Sequence, residues 1–171
     1  MRIELDKLED KGGSFAHTYQ PDELMLDEEG VRLVKAPEVT GRVKRDHHQV
    51  RLRGKIRAEA EVDCDRCLAA IAVPVETEFD VTYVPATDYE AESAAELQAE
   101  DLTLSIFDGE TIDIDELTRE QVLLALPMHA LCREDCKGLC PVCSINKNTD
   151  ACQCETKEID PRWSALKDLQ F

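Results

Sequence analysis

Val50-Arg51-Leu52-Arg53-Gly54-Lys55-Ile56-Arg57-Ala58-Glu59-Ala60-Glu61-Val62-Asp63 is written in twos. Val50, Leu52, Gly54, Ile56, Ala58, Ala60 and Val62 fall on one side, and Arg51, Arg53, Lys55, Arg57, Glu59, Glu61 and Asp63 on the other. That alternation is the period of a strand with one face buried. It breaks at Cys64-Asp65-Arg66-Cys67 and resumes, with Ile71, Val73, Val75, Thr77, Phe79, Val81 and Tyr83 on one face and Pro74, Glu76, Glu78, Asp80 and Thr82 on the other. Two alternating runs around a short polar interruption predict a long antiparallel hairpin from Val50 to Val84, with a Cys-x-x-Cys at its tip.

Upstream, Ile3, Leu5 and Leu8 suit an edge strand or a loose turn of helix, and Lys11-Gly12-Gly13-Ser14 is a turn signal. Val31 and Leu33, then Val39 and Val43, suggest two short strands separated by Ala36-Pro37, and Arg42 to His48 a strand end and turn. Downstream, Pro85 to Gly109 is acidic and lacks basic residues, which predicts a mobile loop over residues 85–110. A helix follows over 113–126: Asp113 and Glu116 have capping-box spacing, Ile114, Leu117, Gln121 and Leu124 form a stripe widened by Val122, Leu123 and Ala125, and Pro127 ends it. The expected fold is α+β. An antiparallel sheet or open barrel is built on the hairpin, one helix packs on its apolar face, and a cysteine-rich metal-binding segment follows. Residues 1–127 form the β domain and 128–171 the cysteine-rich segment, packed on the same body. A short C-terminal helix is expected from Pro161, docked through Trp163, Leu166 and Leu169.

The chain has 171 residues, a formal net charge of -17 and 5% aromatic residues, so the core is expected to be aliphatic. Such acidity suits a basic partner better than phosphates, and it also keeps a chain soluble. The one basic island runs from Arg42 to Arg57, where seven basic residues accompany a single acid, Asp46. Alternation sets Arg51, Arg53, Lys55 and Arg57 in an outward ladder. It could meet RNA phosphates, or pair across the hairpin with Glu76, Glu78 and Asp80. Met1 to Asp6 lacks the apolar core of a secretory signal, and no apolar run reaches membrane-spanning length. A cytoplasmic protein away from membranes is therefore expected, in which eight cysteines point to metal ligands before disulfides.

Zinc takes four thiolates in a tetrahedron, and a Cys-x-x-Cys turn supplies two. Cys64 with Cys67 and Cys140 with Cys143 are two such turns, leaving Cys132, Cys136, Cys152 and Cys154. The two turns could face each other in a ribbon-type site, or Cys140, Cys143, Cys152 and Cys154, or a set including Cys136, could close a local one. Loop-closure entropy separates these by only about 1 kcal/mol, so the sequence leaves the pairing open. Either site would be structural zinc with no open position for chemistry. Cys136-x-x-x-Cys140-x-x-Cys143 also has the spacing of a three-cysteine iron–sulfur set, and a redox Cys-x-x-Cys would need a helix N-terminus that Cys64 and Cys67, between strands, lack. His17, His47, His48 and His129 have no triad or metal-ligand spacing.

These strings together resemble the YceD family, the large-subunit ribosomal RNA accumulation proteins. The resemblance runs from about Arg57 to Leu169 through Cys64-Asp65-Arg66-Cys67-Leu68, Leu123-Leu124-Ala125-Leu126-Pro127, Leu131-Cys132 to Gly138-Leu139-Cys140-Pro141-Val142-Cys143, Cys152-Gln153-Cys154 and Asp160-Pro161-Arg162-Trp163. Ser144 departs from it, since the family more often has Gly there. The resemblance implies a non-enzymatic factor supporting synthesis, processing or stability of 23S ribosomal RNA; together with the acidity of the chain it makes a basic large-subunit ribosomal protein or a pre-ribosomal particle the expected partner. The competing reading is a cysteine-based metalloenzyme or a redox or iron–sulfur protein.

Overall fold

The computed structural model describes residues 1–7, 12–20, 22–46, 49–87 and 103–154. Strands β1 (Arg2–Glu4), β2 (Gly13–Thr18), β3 (Val31–Asp46), β4 (Gln49–Asp63), β5 (Ala70–Pro85), β6 (Leu104–Phe107) and β7 (Thr111–Asp113) precede the helix α1 (Ile114–Ala125). The main sheet has the order β2-β3-β4-β5-β6 and does not close into a barrel; β1 and β7 form a separate pair.

The hairpin stands where alternation puts it. Val50 pairs with Tyr83, Ile56 with Thr77, Val62 with Ile71 and Asp63 with Ala70. Val50, Leu52, Ile56, Ala60 and Val62 are buried, and so are Val75, Phe79 and Tyr83 opposite them. Gly54 has a packing reason for its place. Phe15, Gly41, Gly54 and Phe79 lie in one cross-strand row, and a Cβ on Gly54 would sit 2.5 Å from Phe79 Cζ and 2.2 Å from the Thr40 carbonyl oxygen. The two rings fill the space that the glycines leave, so the strands are held close on the core side.

Several expectations need correction. The sheet is mixed, because β6 adds to β5 in parallel; that strand lies inside the stretch read as an acidic loop, and Phe107 packs edge-on to Tyr83 with centroids 6.1 Å apart. Residues 88–102, the centre of that stretch, lie outside the described residues. The two short strands around Ala36-Pro37 are one strand, β3, whose register shifts between Leu33 and Glu38. The bulge takes up the proline, which has no amide to give the ladder. β2 carries too few apolar residues to announce itself; it is fixed by its pairing with β3.

Asp113 caps α1, accepting from the amides of Asp115 (2.9 Å) and Glu116 (3.3 Å). Leu126, before Pro127, is already extended, as the proline ring requires. The buried face of α1 is Ile114, Leu117, Thr118 and Val122, while Leu124 is 78% exposed. The stripe is turned from the expected one because a buried tyrosine sets it. The Tyr19 hydroxyl donates to Thr118 Oγ1 at 3.2 Å, and Thr118 Oγ1 donates to the Ile114 carbonyl at 2.7 Å. The expected C-terminal helix lies outside the described residues.

Candidate metal centres

The β4–β5 hairpin ends in a turn that repeats later in the chain. At the tip, the Cys64 amide donates to Ala69 O (2.9 Å) and the Leu68 amide to Cys64 O (2.9 Å). At the second Cys-x-x-Cys, the Cys140 amide donates to Ile145 O (2.8 Å) and the Ser144 amide to Cys140 O (2.8 Å). Leu68 and Ser144, each following the second cysteine, both have φ of 57°. Ser144 therefore adopts the left-handed conformation that glycine would take more readily. In both turns amides point at the first sulfur: those of Arg66 and Cys67 at Cys64, and those of Val142 and Cys143 at Cys140.

The two turns do not face each other. Cys64 and Cys67 meet Cys132 and Cys136, while Cys140 and Cys143 meet Cys152 and Cys154. Within each group all four sulfurs lie within 4.8 Å of one another. Cys64 Sγ is 3.9 Å from Cys136 Sγ, and Cys67 Sγ is 3.6 Å from Cys132 Sγ. A tetrahedron with zinc–sulfur bonds near 2.3 Å has edges of about 3.8 Å, so the sulfurs already have the spacing of a coordination shell. The local set weighed from the sequence is the one that assembles; the ribbon-type facing of the two turns is not. Cys136 falls in one group and Cys140 and Cys143 in the other, so the three-cysteine iron–sulfur spacing is not brought together.

The electrostatics of both groups favour a cation. Amide hydrogen bonds, that from Cys132 foremost, hold the Cys64 thiol down at about 6, and those from Cys143 and Val142 do the same for Cys140. In the second group a hydrogen bond with Cys143 pushes Cys154 up to about 12. Four crowded sulfurs resist full ionisation until a metal supplies the charge. The groups differ in exposure: in the first, Cys64, Cys67 and Cys136 are buried with Ile71 and Leu139 packed around them and Cys132 is exposed, whereas in the second only Cys140 is buried and Cys143 and Cys154 are exposed.

Two residues that the sequence did not single out hold the groups together. Asn148, in the loop of the second group, donates to Cys136 Sγ in the first (3.3 Å), while its carbonyl oxygen accepts from the Lys137 amide (2.8 Å) and Arg133 Nη2 (2.7 Å). Arg66, at the hairpin tip, donates from Nη1 to the Cys136 carbonyl (2.9 Å). Neither carries a motif, since each depends on which segments meet. Asp65 at the tip also faces His129, with Nδ1 to Oδ2 at 3.2 Å.

The cation ladder is engaged across the hairpin. Arg51 and Arg53 both bond Asp80, at 2.7 and 2.8 Å; Lys55 meets Glu78 at 2.6 Å and Arg57 meets Glu76 at 3.0 Å. Hydrogen bonds from Arg51 and then Arg53 hold the Asp80 carboxyl far below the usual carboxylate range, and Lys55 lowers Glu78. All four cations remain at least half exposed, Arg51 least at 50%. No helix among the described residues is long and apolar enough to cross a membrane.

Comparison with known proteins places the chain in a family. The profile of the family described as "Large ribosomal RNA subunit accumulation protein YceD" matches residues 52–170, from β4 through both thiol groups. The chain belongs to the YceD family. An uncharacterized protein of Mycobacterium tuberculosis is 31% identical over 128 residues, covering 75% of this chain and 59% of that protein. The chain thus spans little more than half the length of its mycobacterial YceD relatives. YlbN of Bacillus subtilis is 26% identical over 168 residues, covering 97% of this chain and 92% of YlbN. The chloroplastic YCED homolog 1 of Arabidopsis thaliana, named as a large ribosomal RNA subunit accumulation protein, is 36% identical over 59 residues, 34% of this chain and 18% of the homolog. No solved structure matches the chain. The YceD family takes its name from accumulation of a ribosomal RNA and not from a catalysed reaction.

Proposed function

We propose that this YceD protein is a non-enzymatic cytoplasmic factor that supports synthesis, processing or stability of large-subunit (23S) ribosomal RNA, by binding a basic large-subunit ribosomal protein or the pre-ribosomal particle. Membership of the family is the observation that carries this reading. The net charge of -17 supports a basic partner, since complementary charge speeds encounter and excludes wrong partners. In the same reading the β4 ladder of Arg51, Arg53, Lys55 and Arg57 is the face on which contact with ribosomal RNA is sought.

The two thiol groups hold structural zinc in this proposal. Each offers four sulfurs, a complete tetrahedral set, so neither leaves an open position for water or substrate. Zinc there closes the coil after Pro127 onto the hairpin tip and fixes the surface shown to the partner.

The test is complementation in cells that lack the gene. The ratio of large- to small-subunit ribosomal RNA falls without the protein and returns with the wild type. Tagged wild-type protein co-purifies with large-subunit components. A ratio that does not change on deletion overturns the reading.

A further inference from the structure

We propose that Arg42, Lys44, Arg51 and Arg53 form one phosphate-binding patch that takes the backbone of an RNA strand. This deepens the reading above and relies on it for the choice of RNA. It departs from the β4 ladder by adding a second strand and by leaving Lys55 and Arg57 out.

The register of β3 on β4 sets Arg42 directly opposite Arg53 and Lys44 directly opposite Arg51. Strand geometry puts the four groups at the corners of a rectangle about 5 Å by 7 Å at the backbone, the scale of one or two phosphate groups. Like charges opposite one another destabilise a sheet. Asp80 serves both Arg51 and Arg53. Among the described residues Arg42 and Lys44 have no carboxylate partner, although both are exposed. Asp46, one step further along β3, faces Gln49. The other rungs are balanced differently: Lys55 has Glu78, and Arg57 has both Glu76 and Glu38 in register. A chain with 37 acidic residues thus leaves positive charge in surplus at one place on its sheet.

The Arg42–Arg53 rung borders a groove of about 890 Å³, lined also by Ser14, Thr40, Lys55, Glu78 and Asp80 with Gly41 and Gly54 between them; Phe15 and Phe79 reach it from the row whose rings pack into the core. Ser14 and Thr40 add hydroxyls that can bond phosphate oxygens. The rungs Ser14–Arg42–Arg53–Asp80 and Lys44–Arg51–Thr82 carry no aromatic side chain on which a base could stack. The patch therefore reads the sugar–phosphate chain and not its sequence.

The experiment is fluorescence anisotropy of a labelled oligouridine titrated with the full chain at several salt concentrations. The wild type is expected to bind with a log–log salt slope of about -2.8, from about -0.7 for each of four contacts on a single strand. The double variant Arg42→Ala/Lys44→Ala is expected to drop to about -1.4. Its thermal midpoint should hold or rise, since like-charge pairs are removed; a purely structural role for the two residues would lower it. Lys35→Ala/Lys147→Ala, which removes two cations away from the patch, should keep the wild-type slope. Wild-type binding without salt dependence, an equal loss in both double variants, or polyglutamate competing as well as unlabelled RNA each overturns the patch. If the wild type restores ribosomal RNA in cells yet ignores oligouridine, the patch falls while the proposed function stands.

Discussion

The Leu139 amide donates to the Arg66 carbonyl across 2.9 Å, so the cysteine-rich coil is hydrogen-bonded through its backbone to the hairpin tip. Gly138 makes that approach feasible. Its φ is +70°, and a Cβ there would stand 2.8 Å from the same carbonyl oxygen. Gly138→Ala should lower stability by about 2 kcal/mol or more, from the left-handed backbone and the clash together. Gly109, with φ of +91° and nothing within 4 Å of a Cβ, isolates the backbone part, and Gly109→Ala should cost about 1 kcal/mol. Urea unfolding of the two variants measures the difference, and equal losses would mean that the contact at Arg66 is unimportant.

Two separate thiol groups predict two metal equivalents per chain, released at different rates. The group containing Cys143 and Cys154 is open to a chelator, whereas Cys64, Cys67 and Cys136 are buried. Release followed with a metallochromic dye should be biphasic. Cys154→Ser should remove the fast phase and Cys136→Ser the slow one. Asn148→Ala, which takes away a donor to Cys136, should speed the slow phase with a smaller effect on the fast one.

In the row of Phe15, Gly41, Gly54 and Phe79, adding volume at a glycine and removing it at a ring should both cost stability. Gly54→Val pushes a side chain into the Thr40 carbonyl and the Phe79 ring and should destabilise by about 3 kcal/mol. Phe79→Ala opens a cavity at a residue only 5% exposed and should lose about 3–5 kcal/mol. Because the two positions share one space, a Gly54→Ala/Phe79→Ala double variant should lose less than the sum of its single variants. Strict additivity would show that the ring and the glycine are not matched.

Two tyrosines predict alkaline behaviour. Burial foremost, and then the carboxylates of Glu120, Glu116 and Asp113, push Tyr83 up to about 12; burial also raises Tyr19. The unfolded chain ionises these groups near their ordinary value of about 10. The folded state therefore holds protons that the unfolded state has lost, and stability is complete below about pH 10 and falls as pH rises toward 12. Ultraviolet titration should show late phenolate formation in buffer and a single step near 10 in urea. Coincident curves would contradict the burial.

The hairpin was legible because its two faces alternate without error for fourteen residues, from Val50 to Asp63, and the structure keeps that register. The helix was legible from Asp113 and Pro127, whose effects are local. Its exact face was not, because Thr118 turns inward to meet Tyr19, a partner 99 positions away. β6 was hidden by its acidic surroundings and by a parallel pairing that short-range pattern cannot reveal. All eight cysteines were visible as candidate ligands, but their division into two groups depended on which loop meets the hairpin tip, and small entropy differences between loops do not decide that. The opposition of Arg42 and Arg53 was likewise hidden, since it needs the alignment of β3 on β4.

β4 has a mechanical consequence. Arg53 and Cys64 lie eleven positions apart along it, about 36 Å at the rise of an extended chain. The cysteine-bearing tip and the cationic end are thus the two marks of a stiff ruler, flanked on both sides by paired neighbours. A ligand that spans both marks at once must itself reach tens of ångströms, as a folded RNA domain, an assembled particle or a fully extended segment of about a dozen residues does.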